Sequence, residues 1–398
     1  MSGPDRFADR FSRPRRIRRG ATLTLVFASV LATGAATGSW SDAADEGRKS
    51  SPPSVRSDVA GPPEGDPDAA KEATDAAAEA MADGKSGKKA AEDAVSRSGD
   101  RWGSVYSPGE YQEFEQALDG AYTGVGLWTR RAADGQIEVS RVQKDGPAAQ
   151  AGVREGDRLR SVDGERVAGR PVTEVVALLR GDRAGTPVVL GMERGTRAWS
   201  RTVHRARLST DSVTVTGLAG GAVLIKVAAF TKGSGEAVRT AVRAAPEGAG
   251  VLLDLRGNSG GLVSEAVTAA SALVDGGLVA TYDVRGEQKA LHAERGGDTA
   301  RPVVVLVDGG TMSAAELLTG ALQDRGRAVV VGSRTFGKGS VQMPTRLPDG
   351  SVAELTVGHY RTPSGRAVDG QGITPDLEVE DGAEARAETV LTGLGPPS

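Results

Sequence analysis

Val303-Val-Val-Leu-Val-Asp-Gly-Gly-Thr-Met-Ser313-Ala-Ala-Glu-Leu-Leu318, followed by Val329-Val-Val-Gly-Ser-Arg-Thr-Phe-Gly-Lys338-Gly-Ser-Val-Gln342, places a hydroxyl, an amine and an amide in one short strand-helix-strand unit. Val303 to Val307 is short and β-branched, which predicts a buried strand, and Gly309-Gly310 lets the chain turn sharply after it. Apolar side chains at Leu317, Leu318 and Ala321 fit a 3.6-residue period and predict a helix over 314–323, with Ser313 at its start. A hydroxyl there lies beside free N–H groups at the positive end of the helix, an environment that suits a developing oxyanion. Ser313-Ala-Ala-Glu316 is equally a capping box, in which Glu316 reaches back to the helix start. The serine alone decides nothing.

Lys338 changes the balance. It follows a second strand, predicted over 328–331, so one helix and one strand return it toward the serine. A lysine replaces histidine as a base only when neutral, which requires its pKa to fall from about 10.4 to near 7, roughly 3 units or about 4 kcal/mol of desolvation and positioning. Flanking glycines and Phe336 can line such a pocket, although Gly-Lys-Gly also suits an ordinary exposed loop. Gln342, in what reads as a strand start, can hold the amine in line. The same loop spells Gly332-x4-Gly-Lys338, most of a phosphate-binding loop. Against nucleotide binding, Gly339 stands where Ser or Thr would hold magnesium, and Pro344 opposes the helix that should face the phosphate.

A third stretch, Gly250-Val-Leu-Leu-Asp-Leu-Arg256-Gly-Asn-Ser-Gly-Gly261, reads as a buried strand running into a glycine turn, then an Ala-rich helix over 262–273. Such a turn either simply joins strand to helix or exposes backbone N–H groups to a ligand oxygen.

Taken together, these segments resemble the carboxy-terminal processing, or tail-specific, proteases, serine peptidases with a Ser-Lys dyad. The resemblance spans roughly residues 100–380. It rests on Tyr106-Ser-Pro with Glu113 to Gly126, on Asp254 to Gly261, on Gly309 to Glu316, on Gly337 to Gln342, and on Tyr360 to Gly365 with Gly372 to Asp376. It implies a mixed α/β core of the crotonase/ClpP-like β-spiral type, needing neither cofactor nor metal. It also implies Ser313 as nucleophile, Lys338 as general base and Gln342 as the residue that orients the lysine. The oxyanion hole would be formed by backbone groups of Gly260 or Gly261 and of Ala314. Two positions depart from the family's pattern: Ser259 where proline is usual, and Met312 where a small residue is usual.

Residues 123–206 resemble a PDZ domain inserted ahead of the protease core of 207–380. Gly124-Val125-Gly126-Leu127 would be its carboxylate-binding turn, and Gly146-Pro-Ala-Ala-Gln-Ala-Gly152-Val-Arg-Glu-Gly-Asp157 carries a pattern typical of bacterial PDZ domains. An amphipathic helix is predicted near 172–179. The implied partners are proteins or peptides with free C-termini.

The flanks speak of location. Arg13, Arg15, Arg16, Arg18 and Arg19 precede the uncharged, partly apolar stretch 21–38, so 1–38 reads as an export signal or a retained membrane anchor. Either places the bulk of the chain outside the cytoplasm, secreted or held at the outer face of a bacterial plasma membrane. Residues 39–100 read as a disordered linker followed by an Ala-rich helical region broken around 84–87, residues 101–122 as the first part of the protease domain, and 381–398 as a tail. Oligomeric state stays open. A formal net charge of −3 over 398 residues argues against nucleic acid as a partner, and zero cysteines exclude disulfides and a thiol nucleophile. His204, His292 and His359 form no metal-ligand pair by spacing. The rival reading is a non-catalytic PDZ peptide-binding scaffold derived from such a protease.

Overall fold

Short runs of aliphatic residues build the central sheet. In the computed structural model, which describes residues 68–132, 134–284 and 287–394, six strands lie side by side in chain order. They are Val213–Gly217, Val223–Val227, Val251–Asp254, Val303–Val307, Val329–Gly332 and Leu377–Glu378. The last five run parallel; the first is antiparallel, at one edge. Parallel neighbours require crossovers, and the helices Ser234–Ala244, Val263–Ser271 and Ala314–Asp324 lie in three of them. Strand alternation sends Leu253, Val303, Val305, Val307 and Val330 into the core shared with these helices. Leu252, Val304, Leu306 and Val331 point the other way, against Ala387 and Leu391 of the helix Ala383–Gly393. With both faces covered, the strands read as unbroken apolar runs rather than alternating ones. The glycine turn and the serine turn leave adjacent strands at their C-terminal ends, the edge where open α/β sheets place ligands.

A second, antiparallel sheet carries the strands Ser104–Tyr106, Val352–Arg361, Leu278–Val284 and Glu287–His292 in that order, with Ser340–Arg346 also paired to Val352–Arg361. Ser340–Arg346 begins two residues after Lys338. A strand there agrees with the case against a phosphate-binding loop, because that motif needs a helix N-terminus after the lysine to meet the phosphate.

The mixed α/β core with an inserted PDZ domain is as expected. A two-stranded ribbon, Ala121–Gly124 against Ala206–Ser209, brings the insertion's entry and exit together. Beyond it the strands Leu127–Arg131, Ile137–Val142, Arg158–Val162, Pro187–Arg194 and Arg197–His204 form one sheet. Ile137, Val139, Leu159 and Leu190 pack there with Val175 and Leu179 of the helix Val172–Leu179 into a separate core.

The Ala-rich stretch forms two helices, Ala69–Ala82 and Gly87–Ser98, with Gly84 at φ 71° in the turn between them. Ala73, Ala77, Ala91 and Val95 are buried with Leu347, Ala353 and Leu355, so the hairpin docks on the antiparallel sheet. The expected signal or anchor and the linker up to residue 67 lie outside the described residues. No helix among the described residues is long and apolar enough to cross a membrane.

Candidate active site

Two loops at the C-terminal edge of the parallel sheet interlock before either presents a side chain. Asp308, just past the serine strand, accepts hydrogen bonds through one oxygen from Gly310 N and from Gly257 N, both at 2.9 Å. Thr311 Oγ1 donates to the Leu255 carbonyl at 2.9 Å, and Met312 N to the Asn258 carbonyl at 2.8 Å. This latch holds the next residue, Ser313, at φ 53° and ψ −117°. A β-carbon in that region costs about 1–3 kcal/mol and persists only where the surroundings impose it. A comparable strained strand-to-helix turn presents the nucleophile in α/β-hydrolases.

Glu316 does reach back to the Ser313 N–H, at 2.9 Å, but the cap is only part of its work. The oxygen that takes Ser313 N also accepts Lys338 N at 2.8 Å, and the other accepts Thr335 Oγ1 at 2.5 Å and Gly337 N at 2.7 Å. One buried carboxylate thus joins the serine turn to the lysine loop. Burial pushes its pKa up, and the four donors work against that shift. Tyr360 adds a second tie: its hydroxyl lies 2.8 Å from the Ser313 carbonyl and 3.2 Å from that of Lys338. The structure therefore brings together the two residues singled out as nucleophile and base.

Lys338 has no exposed surface. Desolvation lowers its pKa to about 8, against the pull of Glu354, Asp100, Asp369 and Glu316. Phe336, expected to line the pocket, is instead 44% exposed and packs its ring on Trp102 at 5.7 Å. The Trp102 ring covers the lysine, with Nζ 5.1 Å from its centroid. Asp100 anchors that cover: it accepts Trp102 N at 3.0 Å and Gly103 N at 2.9 Å, and also Thr356 N and Oγ1 at 2.7 and 2.8 Å. Nothing local in the sequence marked Asp100, Trp102 or Glu354 for this site.

One expected role finds no matching contact, and one open alternative narrows. Gln342 does not hold the lysine amine in this arrangement. A register shift between Val341 and Gln342 accompanies a side chain whose Nε2 meets Ser340 Oγ at 2.7 Å and Thr356 Oγ1 at 3.3 Å, while Oε1 is buried without a hydrogen-bond partner. Of the two glycines considered for the oxyanion hole, Gly260 already donates its N–H to Asn258 Oδ1 at 2.9 Å. Gly261 fits better. At φ 128°, it sits where a β-carbon would lie 2.3 Å from the Phe230 carbonyl, so only glycine is accommodated. The neighbouring ladder uses the Gly260 carbonyl and the Leu262 N–H, leaving the Gly261 N–H outside it. Ala314 opens its helix, so its N–H has no acceptor within the helix. A β-carbon on Gly260 would lie 2.9 Å from Ser313 Cβ, which places the glycine turn directly against the serine.

In the inserted domain, Gly124 closes the entry ribbon, and Val125, Gly126 and Leu127 make the turn proper, with Gly126 at φ 79°. A groove of about 160 Å³ runs along Gly124 to Thr129 and is closed by Val176, Leu179 and Arg180. The four residues expected to hold a peptide end therefore line one groove.

Residues 222–379 match the profile of peptidase family S41, and residues 138–194 that of a PDZ domain. The chain's core segment 222–379 is thus of the peptidase family S41 type. The chain is 32% identical over 296 residues to a probable CtpA-like serine protease of Staphylococcus saprophyticus, covering 73% of this chain and 60% of that one. It is 34% identical over 308 residues to the chloroplastic carboxyl-terminal-processing peptidase 3 of Arabidopsis thaliana, covering 72% and 59%. With the carboxy-terminal processing protease CtpA of Bacillus subtilis it shares 31% over 274 residues, covering 68% and 58%. The chain thus spans about 60% of the length of the first curated relatives it matches. Among solved structures, the photosystem II D1 C-terminal processing protease aligns with a TM-score of 0.48 and 29% identity, covering 78% of this chain and 86% of that one.

Proposed function

We propose that the protein is an extracytoplasmic serine endopeptidase that captures proteins by their free C-termini in the PDZ groove and cleaves them with Ser313 and Lys338. The observation that carries this reading is the Glu316 carboxylate, which binds the backbone N–H of both residues through one oxygen beside a lysine whose burial favours its neutral form. Neutral Lys338 takes the proton of Ser313 Oγ as the oxygen attacks the scissile carbonyl carbon. The N–H groups of Ala314 and Gly261 receive the resulting oxyanion. As the C–N bond breaks, the lysine ammonium passes its proton to the leaving amine, and an ester to Ser313 remains. Lysine, neutral again, then deprotonates a water that releases the acyl group. Because Ser313 keeps only 1% exposure and Lys338 none, substrate entry requires the cover formed by Trp102 and the lysine loop to shift. Export is supported by the arginines before the apolar stretch 21–38.

Incubation of the full chain with a tagged peptide ending in Ala-Ala tests the reading. Cleavage by the wild type and none by Ser313→Ala or Lys338→Arg is expected, since arginine stays protonated. The rate should rise with pH through the lysine's pKa of about 8. Binding without cleavage by the wild type would favour the peptide-binding scaffold.

A further inference from the structure

The glycine turn, the serine turn and the strand Val223–Val227 meet on one residue, Asn258. Its side chain is polar, yet the residue has no exposed surface. Oδ1 accepts Gly260 N at 2.9 Å, and Nδ2 donates at 2.9 Å to the carbonyl of Val227, the last residue of that strand. Only this orientation of the amide works, because the flipped one sets a donor against the Gly260 N–H and an oxygen against the Val227 carbonyl. The backbone continues the junction. Asn258 N donates to the Leu255 carbonyl at 3.1 Å, and the Asn258 carbonyl accepts Met312 N at 2.8 Å, one residue before the strained Ser313. Phe230, just beyond Val227, grips the far end of the turn: its N–H donates to the Gly260 carbonyl at 2.8 Å, and its carbonyl accepts Leu262 N at 2.7 Å. A trans peptide unit points its C=O and N–H in opposite directions, so the Gly261 N–H is turned away from Phe230.

We propose that Asn258 is a positioning residue for the oxyanion hole: its side chain fixes the plane of the glycine turn, and with it the direction of the Gly261 N–H, while its carbonyl holds the serine turn alongside. This rests on the reading of Ser313 as nucleophile. Gly260 and Gly261 stand at φ 99° and 128°, where a glycine backbone moves freely and has no side chain of its own to fix its orientation. The turn therefore depends on anchors outside its two glycines. A donor accelerates the reaction only if it is aimed before charge develops on the carbonyl oxygen; a peptide plane that must reorient during the reaction loses that advantage. Without the Asn258 amide, Gly260 N and the Val227 carbonyl lose their partners and the plane is free to rotate. The tetrahedral state then loses stabilisation that the bound peptide never had.

The test compares the full wild-type chain with Asn258→Ala, which removes both side-chain contacts, and with Asn258→Thr, which keeps nearly the same volume but has one hydroxyl for two partners. Asn258→Thr decides the matter if the cavity left by alanine prevents folding. A tagged peptide ending in Ala-Ala gives kcat and KM. A peptide aldehyde ending at the scissile residue gives a second readout: Ser313 Oγ bonds to its carbonyl carbon, the carbonyl π pair moves onto oxygen, and the serine proton passes to Lys338, so the adduct places an oxyanion in the hole. We expect kcat to fall about a hundredfold with KM changed by less than about threefold, and aldehyde affinity to fall in step with kcat. Folded variants whose kcat stays within about threefold of wild type would overturn the proposal, and so would a lowered kcat with full aldehyde affinity. If the wild type neither cleaved the peptide nor bound the aldehyde, the nucleophile reading would fall first, and this proposal with it.

Discussion

Ser313 at φ 53° and Lys338 without exposure are each unfavourable for folding, and each is expected to yield stability when its chemistry is removed. Ser313→Gly deletes the β-carbon from a left-handed backbone; we expect no turnover and a gain of about 1 kcal/mol in chemical denaturation. A loss of stability would mean that the turn is relaxed around serine. Lys338 has a pKa of about 8 in the folded chain, below the ordinary 10.5. Between those values the unfolded chain binds more protons, so stability rises with pH across that window and the burial penalty is fully present below it. Lys338→Met should therefore be inactive yet more stable at pH 7, by roughly 3 kcal/mol at most. That advantage should shrink as pH rises toward 10, which thermal melts at several pH values would follow.

At the scale of elements, the lysine loop stays against the serine helix through Glu316, since Ser313, Thr335, Gly337 and Lys338 all donate to it. Glu316→Gln exchanges one acceptor for a donor and sets N–H against N–H at one end of the clamp. An unsatisfied buried polar group costs about 1–3 kcal/mol. We expect a loss of that order in denaturant titrations, together with a fall in kcat larger than any change in KM, because the two loops lose their register. A Glu316→Gln protein with unchanged kcat would remove the clamp from the catalytic account.

For the whole molecule, the ribbon at Ala121–Gly124 and Ala206–Ser209 ties a separately cored PDZ domain to the α/β core. If the turn Val125–Leu127 receives a terminal carboxylate through backbone N–H groups, amidating the peptide removes the charge those dipoles attract. Charge-assisted hydrogen bonds contribute about 1.5–3 kcal/mol, so affinity should fall roughly ten- to a hundredfold. Titration of the full-length Ser313→Ala chain with paired free and amidated peptides ending in Ala-Ala measures this directly. Equal affinities would mean that the groove recognises something other than a chain end.

By itself the sequence determined what depends on near neighbours and on runs of residues. The strand Val303–Val307, the helix after Ser313, the helix Val172–Leu179 and the break between the Ala-rich helices all follow from periodicity and turn residues. Ser313 and Lys338 were legible because each sits in a motif complete within a few residues. Contacts across the chain were decided only by tertiary structure. Asp100 meets Thr356 across 256 positions, bringing Trp102 over the lysine, and no local pattern encodes that pairing. A single register shift before Gln342 places its amide on Ser340 and Thr356, and an Asn258 side chain takes the Gly260 N–H. Glu316 looked like a cap because three of its four donors lie 19 to 22 residues ahead. Glu354 gave no signal at all: a glutamate in a strand becomes unusual only when the packed sheet buries both its oxygens without a hydrogen-bond donor.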